Sequence, residues 1–132
     1  MKETLAIPAV GAIIVKHVGD EEYILVQTRE KNSCDGTDGL LEIPAGKIRE
    51  YENIFEALKR EVWEETGLHI TKIYGEEESQ FLDIDGNKTI LFNPYCVTQN
   101  LSGAYSLILC TFLCEAEGEL LERTNETENI RW

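Results

Sequence analysis

Glu61, Glu64 and Glu65 lie in the run Arg60-Glu61-Val62-Trp63-Glu64-Glu65-Thr66-Gly67-Leu68, with Gly46 and Glu52 ahead of them at fixed spacing. On an α-helix, positions i, i+3 and i+4 share one face, so these three carboxylates are expected to converge on one patch. Like charges so placed repel, and a helix gains nothing from stacking them without a partner. A hard divalent cation is the natural partner. Mg²⁺ and Mn²⁺ take carboxylate oxygens and waters and keep positions open for substrate phosphates. The plain alternative is a solvated acidic face, the reading given to Glu56 and Lys59 of the same helix. Trp63 faces away from the apolar stripe and reads as a packing residue against another element.

Positioning such a patch requires a helix and a sheet to hold it. Asn53 is a suitable N-cap with Glu56 three residues on, and Gly67 suits the left-handed residue that ends a helix. The helix is therefore placed at Ile54 to Thr66, with Ile54, Leu58 and Val62 as its core face. Ala6 to Lys16 and Glu22 to Thr28 read as strands around the turn Gly19-Asp20, and Asn32 to Gly39 as a loop. Leu40 to Ile43 is extended because Pro44 disfavours helix before it. Ile70 to Glu77 and Thr89 to Thr98 are read as strands around Asp85-Gly86-Asn87. Tyr105 to Glu115 is a further strand, and Glu117 to Asn129 an acidic loop. Strands on both sides of one central helix suggest a mixed sheet with the helix on its face.

The 132 residues suit one domain with a real core. A net charge of −13 argues against nucleic acid and anionic membrane as partners, since both need a basic surface. Metal ions can still bridge an acidic protein to a polyphosphate. No apolar run reaches a membrane span, and the start Met1-Lys2-Glu3-Thr4 does not read as a signal peptide. Cys34, Cys96, Cys110 and Cys114 lack zinc-site spacing, and His17 and His69 do not complete one. Buried, reduced cysteines and a cytoplasmic location are expected. Two other motifs fail. Gly46-Lys47 is followed by Ile48 where a P-loop needs Ser or Thr. Asp83-x-Asp85-Gly86-Asn87 has its glycine too early for a calcium loop, with Pro94 in place of the closing Glu.

The spacing Gly46, five residues, Glu52, seven residues, Arg60-Glu61-Val62-x-Glu64-Glu65-x-Gly67-Leu68 resembles the signature box of the Nudix hydrolases at all nine positions that define it. The resemblance implies an α+β chain with the Nudix fold, an α/β/α sandwich around a mixed sheet, as a single domain over residues 1–132. It implies Mg²⁺- or Mn²⁺-dependent cleavage of a nucleoside diphosphate linked to another group. Glu61, Glu64 and Glu65 would hold the metal ions, joined by the backbone carbonyl of Ala45. Gly46, with no Cβ, lets its loop approach the helix and the metal closely. Arg60 can hold Glu64 or Glu52 by charge-assisted hydrogen bonds, and Glu52 takes a supporting role.

Leu41-Glu42-Ile43-Pro44-Ala45-Gly46-Lys47 is similar to the entry of the box in the ADP-ribose pyrophosphatase branch. Asn125-Glu126-Thr127-Glu128-Asn129-Ile130-Arg131 is similar to the acidic loop that carries a catalytic glutamate there. Side chains two apart in an extended loop point the same way, so Glu126 and Glu128 are both candidates for the general base. Glu128 is preferred because Ile130 should anchor it, with Glu64 the alternative if neither serves. Arg29 is expected to meet a phosphate or terminal ribose. Tyr95, Tyr105 and Phe81 are the aromatic candidates for stacking, each equally readable as core. Two features depart from that branch. No proline follows the box until Pro94, and the C-terminal helix has no counterpart before Trp132, so it is expected to be missing or cut off. The branch suggests a homodimer. A housecleaning nucleoside triphosphate pyrophosphohydrolase is the competing enzyme, and a non-catalytic nucleotide-binding module the competing class.

Overall fold

A computed structural model describes residues 2–29 and 39–132. Cys34 and most of the Asn32 to Gly39 loop therefore lie outside the described residues. Two long strands form the spine. β1 (Ile7–Val18) runs parallel to β10 (Leu107–Gly118), Val10 opposite Cys110 and Ile14 opposite Cys114. β2 (Glu21–Ile24) and β5 (Ala45–Lys47) pair antiparallel with opposite ends of β1. β6 (Leu68–Ile73) and β9 (Cys96–Gln99) pair antiparallel with opposite ends of β10. The result is a six-stranded mixed sheet.

Alternation along the two spine strands decides where the helix sits. Val10, Ala12 and Ile14 of β1 and Phe112 and Cys114 of β10 turn to one face and are fully buried. Helix α1 (Ile54–Thr66) covers that face with Ile54, Ala57, Leu58 and Val62. Phe55 packs edge-on to Phe112 and Phe92 at centroid distances of 5.4 and 6.3 Å. Each large side chain buried here contributes roughly 1.5–3 kcal/mol from desolvation alone. The helix begins and ends where the sequence places it. Asn53 Oδ1 accepts from the Phe55 and Glu56 N–H groups, and Gly67, at φ 81°, donates its N–H to the Trp63 carbonyl. Among the described residues no helix is long and apolar enough to cross a membrane.

The second expected strand divides. Leu25 turns inward, fully buried, and the chain leaves β1 to continue as β3 (Val26–Arg29). β3 joins a small separate sheet between β4 (Leu41–Glu42) and β11 (Thr127–Arg131). This sheet carries residues from three distant parts of the sequence to the C-terminal half of α1.

Four expectations need correction. The strands around Asp85-Gly86 are β7 (Gln80–Ile84) and β8 (Asn87–Leu91), a hairpin of its own. Positive φ at both turn residues, 52° and 83°, fits the tight two-residue hairpin turn. Thr89 to Thr98 is broken because Asn93 and Pro94 interrupt it between β8 and β9. The acidic segment Glu117 to Asn129 is not all loop, since β11 begins at Thr127. Cys96 is exposed rather than buried, and so are Phe81 and Tyr95, for which the sequence left stacking and core both open. Cys114 is buried as expected, and burial pushes its thiol up to about 12. Trp63, half exposed, stacks on His69 at 4.4 Å.

Candidate active site

Three carboxylates one turn apart on α1 meet three different environments. Glu65 points inward and is buried. Its Oε2 accepts from the Ala45 backbone N–H at 2.9 Å and from Gln27 Nε2 at 3.2 Å. Burial pushes its pKa up to about 8, and the two hydrogen bonds offset only part of that rise. Glu61 is mostly buried, and desolvation raises its pKa against the opposing effect of Arg60. Glu64 is half exposed.

Arg60 sits at the hub. Its Nε and Nη2 donate to the two oxygens of Glu52, each at 2.8 Å, and Nη1 donates to Glu61 at 2.7 Å and Glu64 at 3.4 Å. Glu52, for which the sequence suggests a supporting role, is thus held through both carboxylate oxygens. The Arg60 hydrogen bonds hold its carboxyl down to about 2 from the ordinary 4.5. The stability this pair contributes is present above pH 4.5 and is lost as pH falls toward 2.

Gly46 is the tightest point of the site. A Cβ there would lie 2.0 Å from the Glu61 carboxyl carbon and 2.2 and 2.4 Å from its oxygens. The obstructed group is the tip of a flexible side chain, so the fold can yield but the carboxylate must move. Gly46→Ala is expected to shift the thermal midpoint by no more than a few degrees while lowering turnover by about 10-fold or more. Parallel melting and rate measurements check this, and an unfolded variant would show that the glycine serves the fold instead.

Two cavities meet along Ala45 to Lys47. The first, about 510 Å³, is lined by Gly46, Lys47, Arg60, Glu61, Glu64 and Glu126, with Glu65 and Arg49 also on its wall. The second, about 240 Å³, has Ile43, Leu107 and Leu109 as apolar wall and Arg29, Glu42 and Tyr105 as polar groups. Arg29 Nη1 lies 3.5 Å from Glu42, Nη2 donates to the Tyr105 hydroxyl at 3.1 Å, and the guanidinium sits 5.2 Å from the Tyr105 ring centre. Of the three aromatic candidates, Tyr105 alone lines either of these cavities.

The two C-terminal glutamates part company. Thr124 Oγ1 accepts from the N–H groups of Glu126 and Thr127, closing a turn that ends the extended geometry on which the expectation for both rested. Glu126 lines the carboxylate cavity, and its charge is felt at Glu61. Glu128 pairs with Arg123 at 3.6 Å and does not line it. Of the two candidates for the base, Glu126 stands on the wall of this cavity and Glu128, the one preferred from the sequence, does not. Sequence reading gave no role to Gln27, Glu42, Lys47 or Arg49. Gln27 carried a signal, a polar residue two places from Leu25 on the inward face of an apolar strand.

As they stand, no three acidic, histidine or cysteine side chains among the described residues are gathered closely enough to hold a metal ion. Arg60 occupies Glu61 and Glu64 instead. The donor set nevertheless fits a hard cation. Three helix carboxylates and Glu126 share one cavity with the Arg60 hub, and the glycine beside Glu61 leaves the backbone close to its oxygens. At Ala45 the contact present is its N–H to Glu65, while the carbonyl was the expected ligand.

Residues 6–132 match the family model described as NUDIX domain, and the chain belongs to that family. A Caenorhabditis elegans nudix hydrolase is 34% identical over 93 residues, which are 70% of this chain and 23% of that protein. The chain thus spans about a quarter of that relative's length. Among solved structures, a MutT NUDIX hydrolase from Burkholderia pseudomallei matches with TM-score 0.67 at 21% identity, over 98% of this chain and 83% of that one. A MutT protein from Methanosarcina mazei matches with TM-score 0.62 at 22% identity, over 100% and 79%. The NUDIX domain of Shewanella oneidensis NrtR, complexed with ADP ribose, matches with TM-score 0.62 at 14% identity, over 98% and 73%. These likenesses show the Nudix fold, α+β around a mixed sheet.

Proposed function

We propose that the chain hydrolyses the diphosphate bond of a nucleoside diphosphate linked to a second group, using Mg²⁺ or Mn²⁺, with an ADP-sugar such as ADP-ribose as substrate. The observation that carries this reading is one cavity holding Glu61, Glu64, Glu65 and Glu126 together with Lys47, Arg49 and Arg60. A diphosphate repels an incoming hydroxide, so cleavage needs charge neutralisation at phosphorus and a base for the attacking water. Glu61, Glu64 and Glu65 would hold the divalent cation, which supplies Lewis acidity toward the phosphoryl oxygens and acidifies water. Lys47 and Arg49 offer positive charge to the diphosphate from the same wall. Glu126 takes the proton of the attacking water. The water oxygen bonds to phosphorus, the bridging P–O bond breaks, and the bridging oxygen leaves with the second phosphate. One water thus yields a nucleoside monophosphate and a phosphorylated sugar.

The ADP-sugar assignment is supported by the Pro44-Ala45 entry to the box and by the ADP ribose bound to the Shewanella oneidensis relative. It is also supported by the second cavity, whose apolar wall and few polar groups suit part of a nucleotide. The second reading is a nucleoside triphosphate cleaved by the same carboxylates. A rate comparison with Mg²⁺ separates the two. kcat/KM is expected to be higher for ADP-ribose than for any common nucleoside triphosphate, and the reverse ranking assigns the chain to triphosphates with the same carboxylate chemistry.

A further inference from the structure

We propose that Gln27 is a positioning residue that fixes Glu65 for metal binding and ties it to Glu42 at the head of the second cavity. Gln27 is fully buried on β3 and touches one lining residue of each cavity. Its Nε2 donates to Glu65 Oε2 at 3.2 Å and to Glu42 Oε1 at 3.3 Å, one amide nitrogen serving carboxylates from two elements. Its Oε1 has no hydrogen-bond partner among the described residues. A buried carbonyl without a donor is a cost that an apolar side chain would avoid. The two carboxylates are what the amide gains by being there.

The chain of contacts continues on both sides. Glu65 is held by Gln27 and by the Ala45 N–H, and Ala45 lines both cavities. Glu42 in turn faces Arg29, which is bonded to Tyr105. Without the amide, Glu65 keeps one of its two hydrogen bonds and can turn away from the cavity. The same loss frees Glu42 to reorient toward Arg29 alone. Groups that orient a metal ligand in this way typically contribute 10- to 100-fold to metal affinity.

This inference rests on the metal-dependent reading proposed above, and its test reads metal binding rather than turnover. Mn²⁺ is titrated against the wild type, Gln27→Met, Glu42→Gln and the double variant, with free Mn²⁺ followed by electron paramagnetic resonance and thermal midpoints recorded beside it. Gln27→Met keeps the length of the side chain and removes its donors. It is expected to weaken Mn²⁺ binding by about 10-fold or more, with the midpoint little changed, since the unpaired carbonyl goes together with the donor to the two carboxylates. The effect of Glu42→Gln on Mn²⁺ affinity should shrink by roughly threefold or more once Gln27 is Met.

Unchanged affinity in Gln27→Met overturns the proposal, as do additive effects of the two substitutions. A loss of affinity that only follows a lowered midpoint also overturns it, because a purely structural glutamine predicts that result. If Gln27→Met does not fold, Glu42→Gln decides alone at about 0.5 M KCl, where through-space charge effects are screened. A loss that persists supports the link, and one that disappears overturns it. A wild type that binds no Mn²⁺ removes the proposed function and this inference together. Wild-type binding with an indifferent Gln27→Met removes the inference only.

Discussion

Glu126→Gln is expected to lower kcat by about 10²-fold or more, leaving KM and Mn²⁺ affinity nearly unchanged. Glu128→Gln is expected to turn over close to the wild-type rate. The contrast follows from one turn of the chain. Thr124 caps the backbone N–H groups of Glu126 and Thr127, so Glu126 projects into the carboxylate cavity while Glu128 joins β11 and meets Arg123. A glutamine in place of Glu126 keeps size and polarity but cannot accept a proton from water. The loss therefore falls on the transition state rather than on binding. Steady-state kinetics on the two variants settles the order. A fall in Glu128→Gln alone would return the base to that residue. Indifference of both would place it on α1, with Glu64, the most exposed of the three helix carboxylates, next in line.

The second large effect is at Glu61. Glu61→Gln retains an oxygen able to accept from Arg60 Nη1 and a side chain that fits against Gly46, so the fold has no reason to fail. It also relieves the burial of a carboxylate whose pKa burial already raises. In EDTA the variant should therefore melt at or above the wild-type temperature. With Mg²⁺ its kcat should fall by about 10²- to 10³-fold, because a charged donor at the phosphoryl centre is lost. Opposite signs for stability and activity mark a residue kept for chemistry. Wild-type turnover in this variant would take the catalytic assignment away from the helix.

The helix and its carboxylates were legible because their signals are local. Asn53, Gly67 and the four-residue recurrence of Ile54, Leu58 and Val62 bound α1 at Ile54–Thr66. Arg60 stood one turn from Glu64 and eight residues from Glu52, and it reaches both. What was not legible depends on pairings that sequence spacing does not encode. The division of the second strand at Leu25 follows from which partners accept β3, and those partners lie near residues 41 and 127. Glu65 looked equivalent to Glu61 and Glu64 on a helical wheel. It is buried because β3 and β5 bring Gln27 and the Ala45 N–H to it. The separation of Glu126 from Glu128 rests on the Thr124 side chain, a turn whose effect an alternating pattern cannot reveal. Arg29, read toward a phosphate or terminal ribose, stands with Glu42 and Tyr105 in the neighbouring cavity.

The most direct test of the central claim is the hydrolysis of ADP-ribose by the wild-type chain, followed by product analysis with Mg²⁺ and again after excess EDTA. The account predicts AMP and ribose 5-phosphate in equal amounts with Mg²⁺, and no products in EDTA until the metal is restored. Turnover that continues unchanged in EDTA would contradict it.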